Sequence, residues 1–457
     1  MKRPIYIEND ITLYHDDCLA VMKALHQNSI DAIVTDPPYG LTQNKKGGTG
    51  EKSLNLNSPA GRSRITTGVG FMGMQWDHGV PGIEYWTEAL RVAKPGAYLL
   101  AFGGTRTYHR LTCAIEDAGW EIRDCLMWVF GSGFPKSLDV SKAIDRAAGV
   151  KRHIVGPNIF QGINGKENIT CYGKASRQPE TDSMTDDAKH WNGFGTALKP
   201  AYEPILLARK PLEGTVAQNI LKWGTGAMNI DACRIEAEQW NRSTLTKHDI
   251  RGGRLHAGTT DRLIESDPQQ GHSLGRWPAN LLLDGSDEVL ACFPDAPGQI
   301  ADANTQGERK FGNCYSPMKY GRTGEPSDGS ENEGEVGFKM KPGARRLDGG
   351  SAARFFYTAK ASASDRGHEE WDALPLFEEP AGQFKNTHPT VKPLALMRYL
   401  LTLVSREGAR ILDPFLGSGT TAVAAKQLGR QCIGIEQEES SCTIAVRRVA
   451  SVKGVLL

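Results

Sequence analysis

The chain has 457 residues, 39% of them hydrophobic, and its 54 lysines and arginines nearly balance 53 aspartates and glutamates, for a formal charge of +1. That length can bury a large core and predicts two or three domains, while the charge balance excludes a uniformly basic, nucleic-acid-coating protein. No run of 18 apolar residues occurs and the first ten residues lack the apolar core of a signal peptide, so a cytoplasmic protein without membrane partners is expected. Nine cysteines, with no Cys-x-x-Cys pair and no metal-like spacing to histidine, read as reduced core thiols, and no metal site is expected.

In chain order, residues 11–14 read as a strand, 18–25 as a helix and 30–34 as a buried strand running into Thr35-Asp36-Pro37-Pro38-Tyr39-Gly40. A long loop follows, with seven glycines between Leu41 and Gln75 and with Lys45, Lys46, Lys52, Arg62 and Arg64 against Glu51 alone. A helix over 83–93, a break at Lys94-Pro95-Gly96, a strand over 97–102, a helix over 108–118 stopped by Gly119 and a strand over 122–130 come next. This alternation predicts a doubly wound α/β fold with a parallel sheet.

From Gly131 to about Gly350 the alternation fades into glycine, serine, asparagine and charged residues, with strand-like phrases at 203–209 and 277–284. The stretch from Thr305 to Gly350 is polar and glycine-rich, and a basic group of Lys339, Lys341, Arg345, Arg346 and Arg354 lies near its end. Regularity returns with Ala353–Thr358 and a helix over 392–405. A strand over 409–412 then enters Asp413-Pro414-Phe415-Leu416-Gly417-Ser418-Gly419-Thr420-Thr421, followed by a helix to Leu428, a strand over 431–436 and a closing helix.

Two motifs carry the chemistry. Gly417-Ser418-Gly419-Thr420-Thr421-Ala422 satisfies Gly-x-Gly-x-x-Gly/Ala between a strand and a helix, with Glu436 nineteen positions on at the end of the next strand. Glycines allow a tight turn and close ligand approach, and such an acid can take ribose hydroxyls. By itself this describes a nicotinamide-dependent dehydrogenase equally well. A phosphate-binding Walker loop is a poor match, since the motif lacks lysine, and Gly131–Ser137 has proline before its lysine. Asp36-Pro37-Pro38-Tyr39 ends another strand; 377 positions separate Asp36 from Asp413, yet neighbouring parallel strands would bring both into one crevice beyond the carboxyl ends of the sheet.

Together these residues resemble amino-methylating DNA methyltransferases that use S-adenosylmethionine, of the permuted β class in which the Asp-Pro-Pro-Tyr segment precedes the glycine segment. The resemblance implies a doubly wound Rossmann-like methyltransferase sheet with circularly permuted motif order and a large inserted target-recognition region. It divides the chain into a catalytic half at 1–130, the insertion at 131–350 and an S-adenosylmethionine-binding half at 351–457. It implies that Asp36, Pro37, Pro38 and Tyr39 are catalytic, with Asp36 and the Pro37 carbonyl holding the target amine and Tyr39 stacking on a flipped base. It assigns cofactor contacts to Asp413, Pro414, Phe415, Gly417, Ser418, Gly419, Thr420, Thr421 and Glu436, and also to Asp36. His388, Thr390 and Lys392 of His388–Pro393 resemble the segment wrapping the methionine end, and Asp17 of Asp17-Cys18-Leu19 resembles an acid near the adenine edge, with Asp16 adjacent. Trp76-Asp77 resembles the phrase that ends the long loop.

The expected reaction is transfer of a methyl group to N6 of adenine in double-stranded DNA, because Asp36 occupies a position where cytosine-N4 enzymes often carry serine. Cytosine-N4 methylation is the alternative, with RNA a weaker variant. A dehydrogenase, or a DNA-binding protein on an inactive methyltransferase scaffold, are readings from other classes. A homodimer, a cognate restriction endonuclease, or a solitary bacterial or phage enzyme are all compatible with the resemblance.

Overall fold

The computed structural model describes residues 3–8, 10–40, 79–133, 137–156, 180–236, 275–295, 350–359 and 391–452. The loop at 41–75, Trp76-Asp77, His388, Thr390 and the basic group from Lys339 to Arg346 lie outside the described residues. Strands β1 (Tyr6–Glu8) and β2 (Ile11–His15) lead to helix α1 (Cys18–Ala24) and β3 (Ile30–Thr35). After α2 (Ile83–Val92) come β4 (Ala93–Phe102), α3 (Tyr108–Asp117) and β5 (Glu121–Val129). The region expected as an insertion holds α4 (Val140–Ala147), the short pair β6 (Ile154–Gly156) and β7 (Glu180–Thr181), α5 (Asp186–His190), β8 (Tyr202–Arg209), α6 (Val216–Trp223), β9 (Leu281–Leu283) and α7 (Asp287–Leu290). Then follow β10 (Tyr357–Thr358), α8 (Leu394–Val404), β11 (Arg410–Asp413), α9 (Thr420–Gln427), β12 (Gln431–Glu436) and α10 (Glu439–Ser451). No described helix is long and apolar enough to cross a membrane.

The main sheet has ten strands in the order β1-β2-β12-β11-β3-β4-β8-β5-β9-β10. From β2 through β12, β11 and β3 to β4 every pairing is parallel, and β8 then runs antiparallel to both β4 and β5. The central strands are buried on both faces, which is why they read as continuous apolar runs rather than alternating ones. Ile33, Leu99, Leu206 and Leu412 face a layer containing Trp86, Ile115 and Met22 from the α1–α3 side. Their neighbours Val34, Leu100, Leu207 and Ile411 face Leu396, Leu400, Ala422 and Ala445 from the α8–α10 side. Helices on both faces of a mostly parallel sheet make this a doubly wound Rossmann-like architecture.

The break expected at Lys94–Gly96 is not a gap between elements. It is an irregularity inside β4, where the pairing with β3 jumps from Ile30↔Ala93 to Ala32↔Tyr98. Gly96 has φ +79°, and the Pro95 carbonyl accepts from Asn219 and from Thr225 at 2.9 and 2.6 Å, so the surrounding loop satisfies the polar groups that leave the ladder.

Candidate active site

Because β3 and β11 are parallel neighbours, with Leu412 opposite Ile33, their following residues emerge at the same edge of the sheet. Thr35 donates to Asp413 Oδ1 across the two strand ends at 2.6 Å. β8 runs the other way, with Ile205 opposite Phe102, so the start of β8 meets the end of β4 and delivers Glu203 to this same edge. Lys392 arrives from the segment entering α8, two residues before that helix begins.

These placements assemble one polar cluster. Lys392 Nζ lies 2.8 Å from Asp36 Oδ2 and 3.1 Å from Glu203 Oε2, and it donates to the Tyr39 hydroxyl at 3.0 Å. Tyr39 in turn donates to Glu203 Oε2 at 3.3 Å. The lysine side chain is 7% exposed and sits over the rings of Phe102 and Tyr39, 4.9 and 5.3 Å from their centroids. Burial alone would push the ammonium's pKa down, but the carboxylates of Asp36 and Glu203 outweigh it and hold the pKa above its ordinary value. Burial, reinforced by the same two carboxylates, keeps the Tyr39 phenol protonated far above its ordinary range. The other oxygen of the catalytic candidate, Asp36 Oδ1, is buried and has no hydrogen-bond partner among the described residues. Pro37 is buried and Pro38 half-buried, and two successive fixed φ angles stiffen the turn that presents Asp36.

The glycine segment forms the adjoining half. Gly417 and Gly419 have φ of +55° and +84°. A Cβ on Gly419 would stand 2.9 Å from that of Ala445, so α10 packs where only glycine fits. Glu436 holds the loop from β12: its Oε2 accepts from Gly417 N at 2.7 Å, and its Oε1 accepts from the amides of Gln437 and Glu438 at 2.9 and 2.8 Å. Burial raises its pKa while those amides oppose the rise. Asp16 and Asp17 lie beside it because β2 pairs with β12; Asp16 N donates to the Glu436 carbonyl. Asp17 caps α1 through Oδ1, accepting from Ala20 N at 2.9 Å. Pro414 is buried, and the Phe415 ring packs against Tyr85 and Trp86 at centroid distances of 6.1 and 6.2 Å.

Several residues expected at the cofactor have different partners. The Asp413 carboxylate is 2% exposed and accepts from Thr35, from the Phe415 amide at 3.1 Å and from Thr421, so it braces the turn from inside. Burial pushes its pKa up to about 6 against those hydrogen bonds. The hydroxyls of Ser418 and Thr420 are buried and bonded to Arg448 of α10 at 2.9 and 2.8 Å, and Arg448 also donates to the Ser418 carbonyl at 2.8 Å. What these two positions offer a ligand is therefore backbone rather than hydroxyl. Lys392, expected near the cofactor, stands in the Asp36 cluster instead. Glu203, Thr35, Phe102 and Arg448 are site residues that motif reading missed; Phe102 and Glu203 lay in segments recognised as strands, and nothing in the immediate sequence of Glu203 marks it as polar machinery.

The site nonetheless fits an adenosyl cofactor. α9 begins at Gly419 without a side-chain cap, at the positive end of the helix. On the neighbouring strand end lies a carboxylate oxygen, Asp36 Oδ1, that has no partner among the described residues.

A family model described as DNA methylase matches residues 30–447. The Type II methyltransferase M.HindIII of Haemophilus influenzae is 24% identical over 468 residues, covering 96% of each chain. M2.DpnII of Streptococcus pneumoniae, also a Type II methyltransferase, is 50% identical over a shorter 62-residue stretch, 14% of this chain and 23% of that one. Among solved structures, the M1.HpyAVI–SAM complex aligns at TM-score 0.35 with 15% identity, over 96% of this chain and 98% of the other. The cytosine-N4-specific PvuII DNA methyltransferase aligns at 0.40 with 11% identity, over 98% and 89%.

Proposed function

The chain belongs to the DNA methylase family, whose members use S-adenosylmethionine, and from that premise we propose that it is a site-specific adenine-N6 methyltransferase of double-stranded DNA. Membership removes the dehydrogenase reading of the glycine loop. The observation that carries the proposal is the Asp36 carboxylate, with Oδ2 fixed on Lys392 and Oδ1 buried without a hydrogen-bond partner among the described residues. A buried acceptor left unpaired is costly, and a ligand N–H satisfies it.

The bound cofactor supplies an electrophilic methyl group on a sulfonium centre. An exocyclic base amine is a weak nucleophile because its lone pair is delocalised into the ring. Hydrogen bonds from that amine to Asp36 Oδ1 and the Pro37 carbonyl draw the lone pair out of the ring and stabilise the positive charge that grows on nitrogen. Tyr39, tethered through its hydroxyl, offers a fixed ring for the flipped base to stack on. Gly417, Gly419, Pro414 and Phe415 would shape the cofactor cleft, with Glu436 and Asp17 at its ribose and adenine end.

In this reading residues 1–130 and 351–457 are the two halves of the methyltransferase domain, and the stretch 131–350 serves target recognition while also contributing β8, with Glu203, and β9 to the sheet. The Type II designation of the relatives supports a cognate restriction endonuclease as partner.

The test incubates the protein with labelled S-adenosylmethionine and unmodified bacterial DNA, with Asp36→Ala alongside, and identifies the product by nucleoside mass spectrometry. N6-methyladenine from the intact protein alone is the expected result. N4-methylcytosine would overturn the base assignment, and equal activity of Asp36→Ala would overturn the role of Asp36.

A further inference from the structure

We propose that Lys392 and Glu203 are a positioning pair for Asp36, so that Lys392 serves the methyl-accepting side of the reaction rather than the cofactor. This rests on the reading of Asp36 as the amine acceptor.

An ammonium has three protons, and Lys392 faces three acceptors: Asp36 Oδ2 at 2.8 Å, Tyr39 at 3.0 Å and Glu203 Oε2 at 3.1 Å. Two aromatic rings cover it, and its side chain is nearly removed from water. Contact with a cofactor carboxylate would require one of these bonds to break. The arrangement also fixes which oxygen of Asp36 is available, because holding Oδ2 turns Oδ1 into the acceptor left over for substrate.

Glu203 makes the arrangement stiff. It takes the second proton of Lys392 and the proton of Tyr39 on a single oxygen, and β8 sets its position through the pairing on both sides. Asp36 Oδ2 and Glu203 Oε2 both lie within 3.1 Å of one nitrogen, so the cation joins the two carboxylates. Removing it leaves like charges facing each other at short range, which disfavours the ionised, correctly turned Asp36 that accepts the amine. Removing Glu203 as well relieves that repulsion.

The experiment compares Lys392→Met, Glu203→Gln and the double variant with the full-length protein. Cofactor affinity is read by calorimetry, and single-turnover methyl transfer is read at saturating cofactor and DNA. Lys392→Met is expected to lower the transfer rate by about 100-fold while changing cofactor Kd by less than about 3-fold. Glu203→Gln is expected to lower it by roughly 10-fold, and the double variant to regain about 10-fold over Lys392→Met. A large loss of cofactor affinity in Lys392→Met with the saturated rate intact would overturn the proposal, and so would a double variant whose losses simply multiply. Should Lys392→Met fail to fold, Lys392→Arg carries the same test, since it keeps the charge and loses the three-point fit. Asp36→Ala in the same assay separates the two readings: full activity there defeats the role of Asp36 itself, whatever the lysine variants do.

Discussion

Asp36 and Asp413 end neighbouring strands of one sheet, are the same residue type, and have opposite surroundings. Asp413 is sealed, with a hydroxyl from β3, an amide from its own turn and the Thr421 hydroxyl on its oxygens. Asp36 is half-finished, with one oxygen on Lys392 and the other unpartnered among the described residues. The difference teaches that an acid's role in this fold follows from its unspent hydrogen-bonding capacity. A saturated carboxylate holds protein together, and an unsaturated one is available to substrate.

The sharpest way to break the contrast is to remove each acid in turn. Asp36→Ala is expected to cut methyl transfer by about 1000-fold or more, with cofactor affinity retained and the melting temperature little changed. Asp413→Ala leaves buried donors unsatisfied at about 1–3 kcal/mol each, partly offset by relief of a buried charge. A net loss of about 3 kcal/mol in chemical denaturation is expected, with weaker cofactor binding because the turn before Gly417 loosens. If Asp413→Ala instead kept its stability and lost only the rate, the two acids would share a role and the contrast would fail.

Gly419→Ala probes the braced half without touching either acid. Its Cβ would crowd Ala445 and its φ of +84° is costly for alanine, so a loss of about 2 kcal/mol is expected, accompanied by weaker cofactor binding. The smallest effect is one of pH. Asp413 has a folded pKa raised to about 6 from an ordinary 3.8. The stability it contributes is complete below the unfolded pKa and is lost as pH rises through the folded one. Its share amounts to roughly 1 kcal/mol less stability at pH 7 than at pH 5. Denaturant midpoints of the wild type and Asp413→Asn across that range should differ in slope by this amount.

What could be read from sequence was what the backbone demands locally. Gly417 and Gly419 are required by positive φ and by the approach of α10, Pro37 and Pro38 stiffen a strand end, and the apolar runs of β3, β4, β8 and β11 are double-sided strands. What could not be read was pairing at a distance. Lys392 meets Tyr39 across 353 positions, Glu203 meets Tyr39 across 164, and Arg448 reaches Ser418 only once α10 has packed on the loop. The resemblance assigned Ser418 and Thr420 to the cofactor, and a buried arginine bonds both of their hydroxyls. Lys94–Gly96 looked like a boundary because proline and glycine punctuate chains, but neighbouring loops absorb the irregularity within one strand.

The pairing of β3 with β11 also sets the order of events during synthesis. At roughly 5–20 residues per second, the 377 positions from Asp36 to Asp413 take on the order of 20–75 s to translate. Throughout that interval β3 lacks the strand that lies beside it in the finished sheet, and Thr35 lacks its acceptor. A nascent chain or a fragment ending before β11 thus carries the Asp36 segment without the neighbouring edge that completes its crevice. Emergence of β11, rather than of the first motif, is what completes the crevice.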